Sequence, residues 1–138
     1  MGRTDPLPAD SLSGIHVLVV DDDADSRHLL RTILRYCGAL VTTASSAREA
    51  LTVLERVVPD VLVCDIVMPG RSGYWLLSQV RKLPPERGGA VPALACTGQD
   101  DPRSERLSAA GFQMHIRKPI DPWALGRAVA ALANRPLK

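Results

Sequence analysis

Val17 to Ser26 reads VLVVDDDADS, four branched apolar residues running straight into three aspartates, with a fourth carboxylate at Asp25. The apolar half has the length and branching of a strand buried on both faces. The acidic half is unfavourable wherever it packs, because like charges repel and burying one without a partner is expensive. A strand with this ending delivers negative charge to one point of the fold.

The alternation of strand and helix continues outward from that stretch. ADSRHLLRTILRYC (24–37) puts Leu30, Ile33, Leu34 and Cys37 at helical spacing, with Leu29 grouped on the same apolar face, and Gly38 stops the helix. ALVTTA (39–44) suits a second strand. SAREALTVLERV (46–57) sets Ala50, Leu51, Leu54 and Val57 on one face, with Ser46 and Glu49 in capping-box spacing. Pro59 ends it, and DVLVC (60–64) is a third strand. Beyond the turn-rich MPGRSG come a helix near 73–82, a fourth strand at 91–96, a helix from Asp100 to near Gly111 and a fifth strand at 112–117. Asp121 and Pro122 supply an N-cap and a first-position proline for a last helix reaching about residue 133. Five such units without hairpin signals predict an α/β fold, a parallel sheet with helices on both faces. Residues 1–14 read as a flexible leader, 15–134 as the domain and 135–138 as a tail. Strand order is not legible in periodicity.

A chain of 138 residues fits one domain, and 46% hydrophobic with 23% charged residues is a globular composition. The formal charge of +2 and a single Phe, two Tyr and two Trp give no footprint for nucleic-acid binding. No apolar run approaches the ~18 residues of a membrane span. The N-terminus lacks a signal peptide's apolar core, and Pro6 occupies the hydroxyl position of a myristoylation motif. Cys37, Cys64 and Cys96 have no metal-type spacing; the latter two lie in apolar runs and read as buried thiols, so a cytoplasmic setting is expected.

Ligands of open α/β sheets bind beyond the carboxyl ends of the strands. Strand one is followed by Asp21 and Asp22, strand three by Asp65, strand four by Thr97 and strand five by Lys118. Three carboxylates, a hydroxyl and an ammonium therefore meet at one sheet edge. Carboxylate oxygens suit Mg2+, which relieves their repulsion and leaves positions for phosphate oxygens. A carboxylate beside such an ion is a nucleophile for a phosphoryl group. A calcium loop starting at Asp21 fails, since Ser26 replaces its glycine and Thr32 its bidentate glutamate. An aspartate-dependent phosphatase using Asp21 as nucleophile is the enzyme alternative, but it leaves Asp65 unexplained.

The motifs VLVVDDD, DVLVCDIVMPGRSG, ALACTG and RKPI, in this order and spacing, resemble the response-regulator receiver domains of two-component signalling, over about residues 15–134. The resemblance implies the flavodoxin-like strand order 2-1-3-4-5, an order known from chemotaxis receivers. It implies Asp65 as phosphoacceptor, and Asp21, Asp22, Asp65 and the backbone carbonyl of Val67 as Mg2+ ligands. It makes Thr97 the switch hydroxyl, Lys118 the phosphate-facing lysine and the bond before Pro119 cis. Asp23 is left as a solvated loop charge.

His115 stands where many receivers place a switch aromatic, and Arg71 and Ser72 stand where an acidic residue often precedes the glycine. Val67 and Gln99 occupy the positions expected to tune phosphoryl lifetime. The implied partner is a histidine kinase or histidine phosphotransfer protein, docking on Arg27, Arg31 and Arg35 of the first helix. The face formed by the fourth helix, fifth strand and last helix is the implied switch surface and the implied homodimer contact. Ala124, Ala128 and Ala131 are expected on its outside. Neither nucleic acid nor membrane is an expected partner. Little room is expected for an output domain, so a single-domain regulator and a receiver module of a hybrid histidine kinase both fit. A non-phosphorylated interaction domain is disfavoured because every reacting position is filled.

Overall fold

The computed structural model describes residues 9–98 and 104–134. The elements are β1 (His16–Val20), α1 (Ala24–Tyr36), β2 (Leu40–Ala44), α2 (Ala47–Leu54), β3 (Val61–Asp65), α3 (Gly73–Val80), a 3-10 turn (Pro85–Arg87), β4 (Ala93–Thr97), α4 (Ser104–Ala110), β5 (Met114–Arg117) and α5 (Pro122–Leu132). All strand pairs are parallel and the sheet order is β2-β1-β3-β4-β5. The expected order is therefore the observed one.

Strand side chains alternate between two cores. Leu18, Val20, Leu62, Cys64, Ala93 and Ala95 face α2, α3 and α4, where Leu54, Leu76, Leu77, Val80 and Leu107 meet them. Val17, Val19, Val61, Val63, Leu94 and Cys96 face α1 and α5, against Leu30, Ile33, Leu34, Leu125 and Val129. Continuous apolar runs are what a sheet covered on both sides requires. Cys37, Cys64 and Cys96 are buried free thiols. Among the described residues, no helix is long and apolar enough to cross a membrane.

The structure departs from the sequence expectations in several places. Helix α2 ends at Leu54, and Val57 is 38% exposed rather than in the core. The Glu55 N–H is shared between the carbonyls of Leu51 and Thr52, and the Val53 carbonyl accepts from Arg56 and Val57, which tightens the last turn, while Pro59 keeps Val58 out of helical geometry. Leu29 is 47% exposed because it precedes Leu30 by one residue and so falls off the buried stripe of α1. Phe112 is buried ahead of β5, which begins at Met114. Ala128 is buried against the sheet, which breaks the expected outer alanine strip of α5. Leu12 of the expected leader is fully buried, and its N–H donates to the Cys37 carbonyl at 2.7 Å.

Candidate functional site

Parallel register brings the strand ends level. Val20 lies beside Ala44 and Cys64, Asp65 beside Cys96, and Thr97 beside Arg117. The chain leaves β1 with Asp21, whose N–H still bonds the Ala44 carbonyl at 3.1 Å, so its side chain is fixed at the sheet edge and fully buried. Asp22 is exposed. Asp23 caps α1 by accepting the Ser26 N–H at 2.8 Å, so it is a structural acceptor as well as a loop charge.

Asp65 closes β3, with its side chain 12% exposed. One carboxylate oxygen from each of Asp21, Asp22 and Asp65 lies within 4.8 Å of the others. Oxygens so grouped fit a hard divalent cation, which Mg2+ exemplifies with oxygen ligands at about 2.0–2.1 Å.

Lys118 follows β5, and its N–H donates to the Thr97 carbonyl at 2.7 Å. The Lys118–Pro119 bond is cis, as expected. The Lys118 ammonium lies 3.2 Å from Asp21 Oδ2 and 3.5 Å from Asp65 Oδ2, bridging the carboxylates at the ends of β1 and β3. Burial draws the Lys118 pKa down, but the charges of Asp65 and Asp21 outweigh it and leave it above its ordinary value. Burial, and then the charge of Asp21, raises the Asp65 carboxyl, while Lys118 and the Val67 N–H oppose the rise. That N–H donates to Asp65 Oδ1 at 3.4 Å. Burial pushes the Cys96 thiol up to about 12 and the Cys64 thiol well above its ordinary value, so neither is a reactive thiolate.

Thr97 is buried at the end of β4, but its hydroxyl donates to the Ile116 carbonyl at 3.2 Å and so is committed to β5. Val67 is 77% exposed at the rim, and His115 is exposed on β5. Gln99 lies outside the described residues. The structure thus brings together Asp21, Asp22, Asp65 and Lys118, with Thr97 on the neighbouring strand end.

Three contributors were missed in the sequence. The Ser26 hydroxyl donates to Asp21 Oδ2 at 2.6 Å. Arg27, expected on the docking face of the first helix, donates to the Asp21 carbonyl at 2.8 Å. Gly73 opens α3 directly beneath the phosphoacceptor candidate, where a Cβ would meet the Asp65 carbonyl oxygen at 2.6 Å. The first two had a faint signal in their position five and six residues past Asp21; Gly73 showed only as a turn glycine.

The family model for the response regulator receiver domain matches residues 17–130. An uncharacterized 14.6 kDa protein from Leptolyngbya boryana is 44% identical over 86% of this chain and 90% of its own length. Response regulator MprA from Mycolicibacterium vanbaalenii is 34% identical over 88% of this chain, which spans only 51% of MprA. Among solved structures, the receiver domain of a signal transduction histidine kinase from Syntrophus aciditrophicus superposes with a TM-score of 0.79 at 27% identity, covering 88% of this chain and 91% of that one. With the sheet order and the converging strand ends, these matches place the chain in the response-regulator receiver family of two-component signalling.

Proposed function

We propose that this receiver accepts a phosphoryl group on Asp65 from a phosphohistidine donor, a histidine kinase or histidine phosphotransfer protein. The observation that carries the reading is the Lys118 ammonium placed between Asp21 and Asp65. An Asp65 oxygen attacks phosphorus, the P–N bond breaks, and the imidazole leaves and is protonated from solvent. Asp21, Asp22, Asp65 and the Val67 carbonyl would hold Mg2+, whose chemistry is charge neutralisation on the transferring phosphoryl oxygens. Lys118 neutralises a further share of that charge. Thr97 serves the phosphoryl group by leaving the Ile116 carbonyl, which ties the chemistry at β4 to β5. The α4-β5-α5 face, with Met114, His115 and Arg117 exposed on its strand, then reads the change as a population shift.

Incubation with Mg2+ and acetyl phosphate, followed by intact-mass measurement, tests this. Wild type should gain one phosphoryl group and Asp65→Asn none. An adduct that survives Asp65→Asn but disappears in Asp21→Asn would instead support the phosphatase reading. The burial of Asp21 and the three donors already on its carboxylate argue against its acting as that nucleophile.

Donor docking rests on the basic face of α1. Arg27 is bound into the site, so the docking test belongs to Arg31 and Arg35, which flank the exposed side of the helix. Their joint reversal to Glu should slow transfer from the cognate donor roughly tenfold, by loss of steering. It should leave the acetyl phosphate rate unchanged. Equal slowing with both donors would remove α1 from the docking surface.

A further inference from the structure

Asp21 and Thr97 are the buried polar side chains among the described residues, and Asp21 is the one carrying charge. Its Oδ1 accepts the Asp23 N–H at 3.0 Å, and its Oδ2 accepts both the Ser26 hydroxyl at 2.6 Å and the Lys118 ammonium at 3.2 Å. The Ser26 contact has the length of a charge-assisted O–H···O⁻ bond, about 2.5–2.7 Å. Lys118 divides itself between Asp21 and Asp65, so Ser26 is the side-chain donor given wholly to Asp21. The third residue of α1 is a fixed platform for that hydroxyl, because its own N–H is anchored on Asp23 Oδ2.

We infer that Ser26 is a positioning residue for the metal-assisted reaction: its hydroxyl locks the Asp21 carboxylate so that the remaining acceptor position, on Oδ1, faces the cation position shared with Asp22 and Asp65. The inference rests on the phosphoacceptor reading above. Ser26 shares Oδ2 with the Lys118 ammonium, which at 3.2 Å from that oxygen also lies 3.5 Å from Asp65. A purely helical role does not account for the contact. The α1 cap acceptor is Asp23, and alanine is the better helix former at position 26, so loss of the hydroxyl alone would then be neutral or stabilising.

Groups that orient metal-binding side chains from outside the coordination sphere typically contribute 10–100-fold in metal affinity. Calorimetric titration of the full chain with Mg2+ should therefore give a dissociation constant about tenfold weaker for Ser26→Ala than for wild type. Ser26→Thr, which keeps the donor, should restore it. Acetyl phosphate kinetics should show the same split: half-saturating Mg2+ rises in Ser26→Ala while the rate at saturating Mg2+ stays within about twofold, since occupancy rather than chemistry is impaired. The urea midpoint of Ser26→Thr should match wild type, while Ser26→Ala should show a modestly lowered one for the bond lost by a buried carboxylate, with the chain fully folded under the titration conditions. Unchanged Mg2+ affinity in Ser26→Ala, or failure of Thr to rescue it, would each overturn the inference. If wild type itself binds no Mg2+ and gains no phosphoryl group, the phosphoacceptor reading fails first, and that outcome is distinct.

Discussion

Lys118→Met is expected to take phosphoryl groups from acetyl phosphate about a hundredfold more slowly than wild type, the scale of losing one preorganised donor at developing negative charge. The same substitution strands two carboxylates. Asp21 would retain Ser26 and the Asp23 N–H, but Asp65 would retain only the long Val67 contact. Breaking a buried ion pair from one side can cost 3–5 kcal/mol, and partial exposure of Lys118 brings this to about 2 kcal/mol.

The pH dependence has a definite sign. Because the folded-state pKa of Lys118 lies above the ordinary value of 10.5, its stabilisation is present in full below that value and is lost as pH rises through the folded value. In metal-free buffer, the urea midpoints of wild type and Lys118→Met should differ at neutral pH and converge in alkali. Equal rates would remove Lys118 from the chemistry. A gap that persists above the folded pKa would show that the lysine acts through its packed stem rather than its charge.

The fold was legible because its signals are local and repeated. Apolar runs of four to six residues, each followed by a helical period, leave a two-sided sheet as the consistent solution, and the caps at Ser46 and Asp121 appear in the structure as read. The errors fall where a one-residue phase or a neighbouring proline decides: Leu29 beside Leu30, Val57 ahead of Pro59, Ala128 between two core positions. Strand order came through resemblance to a known family, since nothing in periodicity ranks one parallel pairing over another. At the site, residues directly after strands were readable, because a charge placed there has nowhere else to point. Ser26, Arg27 and Gly73 were not, because their roles depend on how the start of a helix comes to rest on a carboxylate or a carbonyl. Even Thr97 was legible only as a position: its bond to Ile116 is a property of the resting state, and the sequence carries no sign of it.

Gly73→Ala should be among the most disruptive single methyl additions in the chain. A Cβ at that position would lie 2.6 Å from the Asp65 carbonyl oxygen, 3.1 Å from the Ile66 Cα and 3.2 Å from the Cys64 Sγ. Two of these are backbone atoms that no rotamer change can clear. The Gly73 N–H also donates to the Ile66 carbonyl at 2.9 Å, so separating α3 from the end of β3 sacrifices a bond as well as packing. Alanine's better helix propensity offsets at most about 1 kcal/mol, whereas overpacking typically costs 1–3 kcal/mol and backbone displacement more. The expected net loss is about 2 kcal/mol, read as a lowered urea midpoint. Because the displaced segment carries Asp65, Mg2+ affinity should fall with it, whereas a defect confined to α3 would lower stability alone. Gly98→Ala supplies the control. It adds the same methyl beside the same site, but nothing among the described residues lies within 4 Å of the new Cβ, so its urea midpoint should match that of wild type. If the two variants behave alike, the tight seat of α3 under Asp65 is not what holds that carboxylate in place.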